Sequence, residues 1–302
     1  MVNYRAYEIN FRSELEFPEI EPADHDDFLP DVVIRRGKVP MRLDNPHTDA
    51  PDFQTSSREV LLRIEGVARY SVTDGNEIVV DPEPESKPEE VRLFLFGSAM
   101  GALLSQRALF PLHGSAIETP RGAMVFVGPQ GIGKSTLAAH FVRRGFRLLS
   151  DDVCALTRDT EGTIWVLPAF PQLRLCADAL TRLTESALNC GTARFDGNKF
   201  VLPRLMSFCP RPVKLGTIHQ LSKHELPDII LKPVRGFKRA DHLISNLYRP
   251  MFMRGLAVEP DIMHLATSIM QNTEVIEVMH DRNPYCIEKL LDRLEEGWHT
   301  CT

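Results

Sequence analysis

The chain predicts an α/β protein with a β-rich N-terminal region, and three observations carry that prediction. The apolar run Gly122–Val127 leads into Gly128-Pro-Gln-Gly-Ile-Gly-Lys-Ser-Thr136, and a helical pattern with Leu137, Phe141 and Val142 on one face follows. Strand-like segments flank an Asp-Gly turn between residues 60 and 80. Strand and helix patterns alternate through the last third.

In chain order, residues 1 to about 60 are rich in Pro and acid. Glu14, Glu16, Glu19, Glu21, Asp24, Asp26, Asp27 and Asp31 fall in a stretch without Lys or Arg, expected to be a solvated loop. Val60–Val72 and Glu77–Val80 read as strands joined around Asp74-Gly75-Asn76. The Pro-rich stretch Asp81–Pro88 reads as a linker. The expected division is therefore a β-rich N-terminal region over 1–88 and a second domain over 89–302. Val91–Gln106 reads as a helix, and its Gly97-x-x-x-Gly101 as close packing within a soluble protein.

Leu109–Ile117 reads as a strand with His113 at or near its polar end, and Gly145–Ser150 as a strand ending in Asp151-Asp152. Ile164–Leu167 is a short strand, and Pro171–Leu175 leads to a helix from Asp178. Asn189–Lys199 reads as a polar loop. Leu215–Leu221, Ile229–Lys232 and Glu274–Met279 read as strands, and Ala240–Leu247 and Asp261–Met270 as helices. Ile287, Leu290, Leu291 and Leu294 make one apolar face of a final helix.

Composition narrows the function classes. The chain has 302 residues, 43% hydrophobic and 25% charged, with a net charge of −6. An acidic balance argues against a nucleic-acid partner. The longest apolar run, Leu93–Leu104, is too short to span a bilayer, and the N-terminus lacks the apolar core of a secretory signal. Six cysteines without a C-x-x-C pair form neither a zinc signature nor a disulfide framework, so a reducing cytoplasm is expected.

The stretch Gly128–Thr136 matches G-x-x-x-x-G-K-[ST] and has the strand before it and the helix after it that this phosphate-binding pattern needs. Its glycines let successive N–H groups turn toward phosphate oxygens. Gly128, Gln130, Gly131, Ile132, Gly133, Lys134, Ser135 and Thr136 are the candidate nucleotide contacts. Lys134 is placed to reach the β- and γ-phosphates, and the Ser135 hydroxyl to hold Mg²⁺. Phosphoryl transfer also needs a group that orients or deprotonates the acceptor. His113 and the pair Asp151-Asp152 are the candidates, since each follows an apolar run on a strand near the loop. Adjacent residues on an extended chain point opposite ways, so the two carboxylates share one task only if the chain turns there.

Leu112-His113-Gly-Ser-Ala, the loop Gly128–Thr136 and Leu149-Ser-Asp151-Asp152-Val, with the spacings between them, resemble the catalytic domain of the bacterial HPr serine kinase/phosphorylase family. The resemblance covers residues 109 to 155 closely and reaches about residue 200 more loosely. It implies an ATP- and Mg²⁺-dependent serine kinase on a P-loop kinase fold akin to phosphoenolpyruvate carboxykinase, with Asp151 and Asp152 serving the acceptor hydroxyl and His113 beside them. Between the two carboxylates, Asp152 is preferred as base. It also implies metal contacts at Ser135, Asp151 and Gln172 and nucleotide contacts at Arg174 and Lys199, although a solvated loop lysine explains Lys199 equally well.

Where the family has a Glu two residues before its Arg, this chain has Gln172 before Arg174, a weaker ligand for a hard cation. The Gly-rich remainder of that run is missing, and the N-terminal hundred residues differ from the family's usual N-terminal domain. In layout the chain is more similar to the HPr-kinase-like proteins that phosphorylate the C-terminal Ser of lasso-peptide precursors. The acceptor expected from this is a Ser in a peptide or small protein. A small-molecule kinase and a non-catalytic ATP-binding regulator are the alternatives. The related kinases assemble, which implies a homo-oligomer. The basic group Lys232, Arg235, Lys238 and Arg239 reads first as a solvated face, and second as a surface for an acidic substrate tail.

Overall fold

A computed structural model describes residues 1–23, 29–183, 194–196, 199–203, 205–223, 228–280 and 287–296. The protein is mixed α/β. The strands before the first helix are β1 (Val2–Ala6), β2 (Ile9–Ser13), β3 (Val32–Arg36), β4 (Thr48–Asp49), β5 (Phe53–Thr55), β6 (Glu59–Ile64), β7 (Ala68–Thr73) and β8 (Glu77–Pro82). Helices α1 (Pro88–Phe94) and α2 (Met100–Gln106) follow, joined by a π turn over Leu95–Ala99. Next come β9 (Phe110–Thr119), β10 (Gly122–Val127), α3 (Lys134–Arg143), β11 (Arg147–Arg158), β12 (Ile164–Val166), β13 (Leu173–Leu175) and α4 (Ala177–Leu183). The chain finishes with β14 (Arg194–Asp196), β15 (Lys199–Leu202), β16 (Val213–Lys223), β17 (Ile230–Pro233), α5 (Lys238–Ser245), α6 (Glu259–Asn272), β18 (Glu274–His280) and α7 (Ile287–Glu296).

Two compact units result. One comprises Met1–Pro111 with Leu247–Ala266, the other Leu112–Asn246 with Thr267–Thr302. The division runs later than residue 88, because the α1–α2 helix packs on the N-terminal strands. The Tyr70 hydroxyl donates to the Val91 carbonyl at 2.9 Å, and Gln106 bridges the Gly75 N–H and the Val72 carbonyl at 2.8 Å each. Asp81 is no linker residue. It is buried on β8, where it accepts from Arg69 and from the Val39 N–H.

The first unit holds an eight-stranded sheet in the order β1-β2-β3-β8-β7-β6-β5-β4. The β7–β8 hairpin turns at Asp74 and Gly75, both left-handed, as the Asp-Gly pair predicts. The acidic stretch is less solvated than expected. Leu15, Phe17 and Ile20 anchor it in the core, and Glu19 pairs with Arg92, each only 12% exposed. Asp24, Asp26 and Asp27 lie outside the described residues. Gly97 and Gly101 pack on Tyr248, so close packing is what their spacing serves: a Cβ on Gly101 would lie 2.6 Å from the Tyr248 ring.

In the second unit a seven-stranded sheet runs β10-β9-β11-β12-β16-β18-β17, with β10 also pairing in parallel to β16. A smaller sheet, β13-β15-β14, replaces the polar loop expected before Lys199. The core of this unit forms where α3 packs between strands and helices. Phe126 of β10 stacks on Phe141 of α3, with ring centroids 5.7 Å apart, and Leu290, Leu291 and Leu294 of α7 join them. Arg144, just past α3, binds Glu288, Asp292 and Glu295 along α7. Among the described residues no helix is long and apolar enough to cross a membrane.

Two tests follow from this packing. Gly101→Val forces a branched side chain into the Tyr248 ring, and chemical denaturation should show a loss of about 1–3 kcal/mol. His219 is 3% exposed on β16, and burial holds its imidazole down at about 4. Because the folded value lies below the unfolded one, this neutral histidine supports the fold fully above pH ~6.5, and that support is lost as pH falls toward 4. Wild-type protein should lose on the order of 3 kcal/mol through that window from this group, and His219→Leu should flatten the loss. An unchanged acid limb in the variant contradicts the assignment.

Candidate functional site

The glycine-rich loop is built from the end of β10 and the start of α3. Gly128, Gly131 and Gly133 hold φ of 142°, 75° and 108°, a region that favours glycine. A Cβ on Gly128 would sit 2.6 Å from the Leu221 carbonyl oxygen of the neighbouring parallel strand, so this residue also needs to be small. Gly131 and Gly133 have open space where a Cβ would lie. The Lys134 side chain is folded back, its Nζ donating to the Gly128 carbonyl at 2.8 Å and the Pro129 carbonyl at 3.2 Å. Ser135 and Thr136 stand in the first turn of α3, with Gln130 exposed on the loop. Ile132 is a core residue: its side chain packs with Phe126, Leu137 and Leu221, and its N–H donates to the Pro129 carbonyl.

The strands bring polar groups to the same end. In the antiparallel β9–β10 pair, Gly114 lies opposite Val127, which puts His113 level with the start of the loop. His113 is the fourth residue of a ten-residue strand rather than a strand end. Its N–H donates to the Asn246 carbonyl at 2.8 Å. Sheet neighbour β11 also continues where the sequence predicts an end, running through Asp151-Asp152 to Arg158.

What permits this is a kink. Asp152 holds φ at 74°, left-handed for a non-glycine residue, and the Ser150 hydroxyl closes the bend by donating to the Val153 carbonyl at 2.6 Å. The chain thus turns between the carboxylates, and they converge on one residue. Asp151 accepts from the Ser115 hydroxyl at 2.6 Å and from the Arg174 N–H at 2.8 Å. Asp152 lies 3.5 Å from the Arg174 guanidinium and 3.4 Å from His113 Nδ1, which is also 3.1 Å from the Asp152 carbonyl oxygen. His113, Ser115, Asp151, Asp152 and Arg174 form one connected cluster.

The two carboxylates differ. Asp151 is 8% exposed with both oxygens engaged by short bonds, whereas Asp152 is 22% exposed on its side chain and more loosely held. Behind them sits Cys154. Burial pushes its thiol up, and the charges of Asp151, Asp152 and Lys134 all act on it.

Gln172 is buried beside β13. Among the described residues no group of three or more His, Cys, Asp and Glu could hold a metal ion. Mg²⁺ needs no such group, because it keeps waters and binds through one or two carboxylates plus substrate phosphates. Lys199 begins β15, and its side chain lies outside the described residues.

Ser115, Gln220 and Asn246 are absent from the residues the sequence singles out. The Asn246 amide donates to Gln220 at 2.6 Å, and Gln220 lies opposite Val127 in the parallel β10–β16 pair. Ser115 was within reach of the strand period, two residues after His113. Gln220 required the strand pairing, and Asn246 the placement of the end of α5 against His113.

No family model matches the chain. The HPr kinase/phosphorylase of Streptococcus thermophilus is 38% identical over 58 residues, covering 19% of each chain. That of Chloroherpeton thalassium is 38% identical over 52 residues, or 17% of this chain and 15% of its own. The matched segment thus spans less than a fifth of these relatives' length. The solved HPr(Ser) kinase/phosphatase from Coxiella burnetii superposes with a TM-score of 0.35 at 14% identity, over 63% of this chain and 98% of its own. The chain is related to the HPr kinase/phosphorylases through this partial sequence match.

Proposed function

We propose that the protein is a kinase that transfers the γ-phosphoryl group of ATP to a serine hydroxyl of a peptide or small protein. The observation that carries this reading is the convergence of Asp151, Asp152, His113 and Arg174 beside a glycine-rich loop at a helix N-terminus. The partial relationship to HPr kinase/phosphorylases supports it. The chemistry of such a site is positioning plus charge stabilisation rather than covalent work by the protein.

In this reading the N–H groups of Gly133, Lys134 and Ser135, at the N-terminus of α3, hold phosphates. Lys134 exchanges its loop carbonyls for phosphate oxygens and neutralises charge there. Asp152 is the base. It is the more accessible carboxylate, and a weakly held oxygen has a lone pair free for the acceptor hydroxyl's proton. His113 and Arg174 flank Asp152 and orient its carboxylate. Asp151, tied to Ser115 and to the Arg174 backbone, would hold Mg²⁺ with the Ser135 hydroxyl, and Gln172 would add at most a neutral ligand. Held there, Mg²⁺ would neutralise negative charge on the nucleotide's phosphates. The free thiols Cys154, Cys176 and Cys209 fit a reducing compartment, the cytoplasm.

Gln172 favours a second reading, a regulator that binds ATP without transferring phosphate. A transfer assay with Mg²⁺ and γ-labelled ATP, offering Ser-ended peptides and, separately, HPr, distinguishes the two. Label should appear on serine, and Asp152→Asn should lower the rate by about 10²–10⁴-fold while ATP still binds. Tight ATP binding without labelled product contradicts the kinase. For the loop, Gly128→Ala drives a Cβ toward the Leu221 carbonyl. ATP affinity by calorimetry should fall at least about tenfold, the equivalent of roughly 1.4 kcal/mol. Unchanged affinity would remove the loop from nucleotide binding.

A further inference from the structure

The second unit carries a second feature of recognisable chemistry. Strand β17 ends the seven-stranded sheet, pairing with β18 on one side. Beside it lies a cavity of about 430 Å³ lined by Lys232, Pro233, Val234, Arg235, Lys238 and Glu277. Three cations meet one carboxylate, and that carboxylate is taken by Lys238, 2.8 Å away. Lys232 and Arg235 are exposed; Lys232 stands opposite Glu277 in the β17–β18 ladder, but among the described residues no carboxylate lies within salt-bridge distance of Lys232 or Arg235. In a chain of net charge −6 this is a local excess of the opposite sign.

The cavity wall is held in place before any ligand arrives. The Val234 N–H donates to the Val275 carbonyl at 2.8 Å. Arg239 donates to the Val234 carbonyl at 2.9 Å and to the Met270 carbonyl at 3.1 Å, so this cation locks the loop instead of joining the anion-facing set. A preorganised wall spares a ligand the cost of ordering it. At the rim, Phe237 is 93% exposed and Ile230 36% exposed. Among the described residues β17 is paired on one side only, and although Pro233 offers no N–H, the cations and exposed apolar side chains along this edge together fit an extended peptide with acidic and apolar residues laid beside it. Glu277 inside the cavity and the apolar rim disfavour a continuous polyanion such as a nucleic acid.

The position relates this surface to the catalytic cluster. Helix α5 starts at the cavity with Lys238 and is capped at its far end by Asn246. The Asn246 carbonyl accepts the His113 N–H, and its side chain binds Gln220. Eight helical residues span about 12 Å. About four extended residues cover the same length.

We propose that the β17 edge and its basic cavity form a docking site for an acidic, extended segment of the peptide acceptor, about four or more residues from the serine that receives phosphate. This rests on the peptide-kinase reading for the identity of the ligand, while the docking itself is testable without any transfer. The full chain would be titrated, by fluorescence anisotropy, with a labelled peptide of alternating Glu and Leu and with its Gln–Leu counterpart.

The Glu peptide should bind the wild type and the Asp151→Asn/Asp152→Asn variant alike. Lys232→Glu/Arg235→Glu, with ATP affinity and melting temperature unchanged, should bind it at least about tenfold more weakly, as should wild type with the Gln peptide. Equal binding of both peptides, unchanged affinity in the charge-reversed variant, or equal competition by a single-stranded oligonucleotide would overturn the proposal. Docking of the Glu peptide extended by a terminal Ser, without phosphate transfer to that Ser, would sink the kinase reading alone. Phosphorylation of an acidic peptide with the same KM in Lys232→Glu/Arg235→Glu would sink the docking site alone.

Discussion

A left-handed residue in the middle of a strand organises this site. At an unkinked Asp152, the two carboxylates of β11 would face opposite sides of the sheet. With φ at 74° they gather around Arg174, one through its backbone N–H and the other through its guanidinium. Such a conformation costs on the order of 1 kcal/mol or more for a non-glycine residue and needs support from its surroundings. Ser150 supplies part of it by bridging to Val153, and the pairing of β13 near the kink brings Arg174 to it. The strain lies where the chemistry is proposed.

The rest of the second unit holds that kink against the glycine-rich loop. Strand β10 passes its end to the loop and is flanked by β9, which brings His113 and Ser115, and by β16, which brings Gln220. Helix α3 is fixed from behind by the stacked Phe126 and Phe141 rings and by Arg144, whose guanidinium holds three carboxylates along α7. The helix whose N-terminus would face phosphate is thereby tied at its other end. Rigid placement of this kind suits a reaction that depends on positioning.

Much of this was legible in the sequence because the signals are local. A glycine loop between an apolar run and a helical pattern, an Asp-Gly turn, and Gly97 and Gly101 four residues apart each express a nearest-neighbour constraint. What failed was non-local. The sequence cannot show that β9 and β11 run past His113 and Asp152, because a polar residue after an apolar run looks the same at a strand end as at a kink. Acidic residues between 14 and 23 suggest solvent, yet Leu15, Phe17 and Ile20 among them reach the core and bring Glu19 to Arg92. Ile132 sits in a phosphate-binding pattern but serves packing. Gln220 and Asn246 carry no motif: strand pairing brings Gln220 next to the loop, and the end of α5 brings Asn246 to His113.

The most direct test of the account is a crystal structure of the protein with Mg²⁺ and a non-hydrolysable ATP analogue. The account predicts phosphates on the Gly128–Thr136 loop, Lys134 released from the Gly128 and Pro129 carbonyls to contact them, and the γ-phosphate facing Asp152. A nucleotide bound elsewhere, or Lys134 still bound to its own loop with the analogue in place, would contradict it.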